Sequence, residues 1–74
     1  MKFATPDTAL AAWLYMNGAQ LVAISKDGKP STFDFEDSEE KLKELIFAYQ
    51  TGNATGNIIG FYRSYKFLLT RLKT

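Results

Sequence analysis

Residues 19–36 read AQLVAISKDGKPSTFDFE. Two runs rich in apolar and β-branched residues flank Asp27-Gly28, a dipeptide suited to the positive φ angles that close two-residue hairpins. A register centred on such a loop pairs Lys26 with Lys29, Val22 with Phe33 and Gln20 with Phe35. Strand side chains alternate between faces. This register therefore predicts one face of Val22, Ile24, Phe33 and Phe35, and another of Leu21, Ala23, Thr32, Asp34 and Glu36. Separation of apolar from polar sets is what specifies a register. Pro30 falls opposite Ser25 at a non-hydrogen-bonded position, where its missing N–H is harmless on an edge strand. An isolated two-stranded ribbon is barely stable in water, so its apolar face needs cover from the flanking segments.

Upstream, KFATPDTALAAWLYMNG at residues 2–18 predicts a short extended piece followed by a helix. Thr5 suits the N-cap, Pro6 the first helical position and Asp7 the positive helix end. Leu10, Trp13, Leu14 and Asn17 follow the spacing of one helix face. Gly18 is placed to end the helix in the left-handed conformation, and Tyr15 lies off the stripe.

Downstream, DSEEKLKELIFAYQTG at residues 37–52 predicts a second helix. Asp37 or Ser38 caps it, and Glu39 and Glu40 complement its macrodipole. Leu42, Leu45, Ile46 and Tyr49 form the buried stripe, Gly52 ends it, and Phe47 falls outside it beside Lys43. After the loop NATGN a third helix starts near Asn57 and runs almost to the end. At 100° per residue, Ile58, Phe61, Tyr62, Tyr65, Leu68, Leu69 and Leu72 fall on one arc about 120° wide. Phe67 points away from that arc, with Arg63 and Arg71 one turn to either side.

These elements predict a single α+β domain over residues 1–74. A small antiparallel hairpin sheet, with a possible third short strand at residues 2–5, is covered on one face by three helices in the order β-α-β-β-α-α. Its 74 residues support one core and no more. Hydrophobic residues at 46% and aromatics at 15% place it among globular chains rather than disordered ones. There is no cysteine to form a disulfide. There is no histidine either, so the commonest general base and metal ligand are both missing.

The net charge of +1 conceals a strong asymmetry. Residues 27–44 carry seven acids against three lysines, whereas residues 45–74 carry Arg63, Lys66, Arg71 and Lys73 and no acid. Such a dipole steers partners, pairs copies head to tail, or compensates itself internally. Residues 8–25 are uncharged, but Asn17, Gly18 and Gln20 interrupt the roughly 20 apolar residues that a membrane span needs. Pro6 and Asp7 stand where the apolar segment of a signal peptide would begin. The expectation is a cytoplasmic protein that does not enter a membrane.

The candidate reactive groups lack partners in the sequence. DFEDSEE at residues 34–40 is acidic, but the glycine and glutamate spacing of a calcium loop is missing. Gly52, Gly56 and Gly60 lie near a helix start, yet no phosphate-binding lysine follows. Ser25, Ser31, Ser38 and Ser64 have no histidine to activate them. Ser64 and Lys66 are two apart on a helix and do not face each other. No catalytic residue, metal, cofactor or small-molecule substrate is expected.

FATPD followed by LAAWL, Gly18, a β-hairpin, the acidic cap DSEE and a final basic helix resemble a family of short, uncharacterised prokaryotic and phage-encoded proteins, a domain of unknown function. TGNATGN departs from the acidic-proline helix start of such proteins. The resemblance implies a small accessory protein of bacteria, plasmids or phages, and it carries no assigned activity onto any residue here.

Function is therefore expected from the residues the core leaves over. Phe67 with Arg63 and Arg71, joined by Lys66, Phe47 and Tyr15, predicts a partner-binding surface of a non-enzymatic interaction module, which binds another protein or pairs as a homodimer. The alternative is nucleic-acid binding by the basic face of the last helix, with Phe67 stacking on a base.

Overall fold

The computed structural model describes residues 1–73. It contains β1 (Lys2–Thr5), α1 (Thr8–Met16), β2 (Leu21–Ser25), β3 (Thr32–Glu36), α2 (Glu39–Gln50) and α3 (Ile58–Lys73). The three strands form one antiparallel sheet in the order β1-β3-β2. The N-terminal strand is thus real, and it makes β3 central. Phe33 and Phe35 of β3 are buried, while Asp34 between them lies on the other face between Ala4 and Ala23. A sheet with one apolar face needs a layer of helices on that face alone.

The hairpin departs from the expected register. Its loop runs from Lys26 to Ser31, includes a cis Lys29-Pro30 peptide and is not a two-residue turn. Ser25 pairs with Thr32, Ile24 with Phe33, Ala23 with Asp34 and Leu21 with Phe35, with a bulge between Leu21 and Ala23. The extra residue turns Leu21 inward beside Ile24 and leaves Val22 53% exposed, reversing the predicted faces of Leu21 and Val22. Two physical reasons favour this register. Pro30 cannot donate to a ladder, so pairing starts beyond it. The Ser25–Thr32 pairing also brings both hydroxyls to Asp34, which accepts from Ser25 Oγ and from Thr32 Oγ1 at 2.8 Å.

The entry to α1 also differs. Thr5 stays in β1 opposite Phe33, and its hydroxyl accepts from the Asp7 N–H at 3.1 Å. Asp7 is the N-cap, its carboxylate accepting from Ala9 N–H at 2.9 Å and Leu10 N–H at 3.2 Å. The sheet ladder retains Thr5, so the next side chain able to reach the free helical N–H groups does the capping. Tyr49 Oη donates to the same carboxylate at 3.1 Å, so Asp7 also ties α2 to the start of α1. Burial and this bond raise the Tyr49 phenol above its ordinary range. Asp7→Ala is expected to cost about 1–2 kcal/mol in urea unfolding, and Asp7→Asn distinctly less. Equal losses in the two variants would show that capping is not the reason.

Helix α1 is the centre of the helical layer. Leu10, Ala11, Ala12, Trp13 and Leu14 are all buried, so its buried surface extends well beyond the single stripe expected. A helix apolar on most sides belongs inside. It packs against α2 and α3, and the small side chains of Ala11 and Ala12 allow close approach. Trp13 Nε1 donates to the Leu45 carbonyl of α2 at 2.9 Å, which satisfies the indole inside the core.

Gly18 closes α1 at φ +84°, where a side chain would be strained. Lys41 Nζ donates to the Gly18 carbonyl at 2.9 Å and lies 3.6 Å from Asp37. Asp37 accepts from Ser38 N–H and Gln20 N–H, and the Ser38 bond is the main influence holding its carboxyl below the usual range. Ser38 is the N-cap of α2, accepting from Lys41 N–H at 3.2 Å.

Candidate functional site

Helix α3 buries a narrower and differently centred face than its sequence suggests. Leu68 is fully buried, and Phe61, Tyr65 and Leu72 pack on the core. Ile58 and Tyr62, predicted on the buried arc, face solvent at 83% and 59% exposure. The Asn57 side chain caps this helix, accepting from Gly60 N–H at 3.0 Å.

Phe67, predicted off the core arc between Arg63 and Arg71, stacks on Tyr15 of α1 with ring centres 5.2 Å apart and planes 15° apart. Such a pair contributes about 0.5–1.5 kcal/mol beyond the area it covers. That contribution favours rolling α3 toward α1 on the Phe67 side, which lifts Ile58 and Tyr62 outward. Both rings remain partly accessible, Phe67 at 42% and Tyr15 at 37%.

The stacked pair forms one wall of an open groove of about 440 Å³. The other wall is β2, an edge strand, with Val22 and Ala23 exposed. Lys26 and Arg71 also line the groove, and the Arg71 guanidinium lies 6.0 Å from the centre of the Phe67 ring.

The remaining predicted residues divide. Arg63 is exposed on α3, one turn before Phe67. Lys66 Nζ lies 6.0 Å from the Tyr62 ring centre, away from the groove. Phe47, 65% exposed on α2, does not join Tyr15 and Phe67; it lines a separate apolar hollow with Met1, Phe3 and Ile46. The three off-stripe aromatics are therefore two surfaces rather than one patch. The contribution of Val22 to the groove was missed because it depends on the bulge. The exposure of Ile58 and Tyr62 was missed because helical spacing shows which residues share a face, not how much of that face a neighbour covers.

Among the described residues no three acidic, histidine or cysteine side chains come together to hold a metal ion. No described helix is long and apolar enough to cross a membrane. The fold and groove define a small α+β domain with an aromatic-walled cleft beside an open sheet edge. The chain belongs to the family described as Domain of unknown function (DUF5659), whose model matches residues 1–73. No curated protein and no solved structure matches it.

Proposed function

We propose that this domain is a non-enzymatic interaction module that docks a protein partner in the groove between the Tyr15–Phe67 stack and β2. The stack carries this reading: two aromatic rings, packed face to face and still partly accessible, line a cleft with an edge strand. Rigid aromatics beside arginine are the residue types that dominate binding hot spots. An edge strand offers main-chain groups to an extended segment. A non-enzymatic role is supported by the lack of histidine and cysteine. It fits a small accessory protein of a phage, plasmid or bacterial host.

Phe67→Ala is expected to weaken partner binding by tenfold or more, about 1.4 kcal/mol at the least. Val22→Asp, at the opposite wall, should act in the same direction, while Phe47→Ala should not. Cross-linking and pull-down with the three variants provide the check. Recovery of the same partners at the same yield with Phe67→Ala would remove the groove from consideration.

A second reading follows from the cations set beside rings on α3, Lys66 by Tyr62 and Arg71 by Phe67. Such alternation suits single-stranded nucleic acid, with rings stacking on bases and cations on phosphates. Under this reading affinity falls steeply with salt, and losing one phosphate-contacting cation lowers the salt slope by about 1.

A further inference from the structure

We infer that a second copy of this chain docks on the outer seam of α3 through the outer face of its own α2. The inference does not rest on the Tyr15–Phe67 groove. Two apolar seams run along α3. Phe61, Tyr65, Leu68 and Leu72 make the inner one, which packs on the core. Ile58, Tyr62, Tyr65, Leu69 and Leu72 recur at intervals of four and three, the spacing by which one helix receives another. The domain covers Tyr65 and Leu72 of this second set and leaves its Ile58 and Tyr62 end open. Ile58 and Tyr62 are mostly exposed, and neighbouring Ile59 is 62% exposed, so the first two turns of α3 present a large aliphatic and aromatic surface.

The charge beside this seam selects its occupant. Lys66 lies by Tyr62, and Lys73 follows one turn after Leu69 on the same side of the helix. No acid occurs in residues 45–74. Two α3 seams packed antiparallel about Tyr65 would bring the Lys66 side chains of the two copies together, which like-charge repulsion opposes.

The outer face of α2 has the opposite character. Phe47 stands at its centre, and Glu40 and Glu44 lie two turns and one turn before it. Met1, Phe3 and Ile46 extend the apolar surface beside Phe47. Lys43, one turn before Phe47, also lines that hollow and pairs with Glu39 at 3.6 Å, so Glu40 and Glu44 leave this face of α2 net acidic. An apolar seam with a basic rim thus meets, on the same chain, an apolar face with an acidic rim. The contact joins different patches, so it is heterologous and can extend into rings or longer chains.

Tyr62→Asp and Phe47→Asp test this directly, because both side chains are exposed and neither belongs to the core. Wild type is expected to gain mass with concentration in sedimentation equilibrium up to about 1 mM, and less so in high salt. Each variant alone should remain monomeric with an unchanged far-UV spectrum. The two mixed in equal amounts should form a one-to-one dimer and nothing larger, because only one intact seam and one intact face are present. Val22→Asp, on the groove wall that β2 supplies, should associate as wild type does.

A wild type monomeric throughout, or association that survives Phe47→Asp, would overturn the inference. So would a mixture that stays monomeric, or association lost in Val22→Asp. A wild type that remains monomeric but co-sediments with phosphatidylglycerol vesicles would overturn it in favour of a lipid surface.

Discussion

Phe33→Ala is expected to leave the chain largely unfolded at 25 °C. Phe33 is fully buried on the central strand, between Thr5 of β1 and Ile24 of β2, under the helical layer. Truncating a buried phenylalanine costs about 3–5 kcal/mol, through lost transfer energy and the cavity left behind. A domain of this length has a total margin of about 3–5 kcal/mol. The loss therefore equals the whole stability rather than lowering it by a step. Far-UV circular dichroism should show collapse of the helical signal without denaturant. A cooperative urea transition with a loss below about 1.5 kcal/mol would mean that the core is centred elsewhere.

Leu68→Ala should cost about 2–5 kcal/mol, and the damage should begin at α3. Leu68 is the one fully buried side chain of that helix. The rest of its attachment is the partly buried Phe61, Tyr65 and Leu72 and the Tyr15–Phe67 stack. Its main packing partner is α1. A detached helix of 16 residues is marginal in water, so undocking and melting should coincide. In native-state hydrogen exchange the α3 amides should lose protection well before those of β3. Equal protection of the two elements in the variant would show that α3 and the sheet open as one unit.

Much of this fold was legible because local chemistry specified it. Gly18 and Gly52 marked helix ends where positive φ is required, and both adopt it. Asp37 and Ser38 both read as caps before Glu39 and Glu40, and Ser38 is the one that caps. The Phe33-Asp34-Phe35 alternation announced a strand with one buried face, and β3 has that face. Each of these signals operates within a few residues.

The candidate site was legible only in part, because exposure depends on what a neighbour covers. Tyr15 and Phe67 were visible as aromatics off their stripes, but their stacking joins residues 15 and 67 across the gap between two helices. Phe47 carried the same signal, and its helix took it to another surface. The shift of Leu21 inward and Val22 outward follows from one bulged residue, which reverses a face without changing composition.

The amino-acid order by itself determined the element types, their succession and most of the helix ends. These follow from period, capping chemistry and the few residues that accept unusual backbone angles. Tertiary packing alone decided the strand register, the burial of α1 on most of its sides and the roll of α3 that pairs Phe67 with Tyr15. What separates competing registers and rolls is which distant side chains meet and which polar groups find partners.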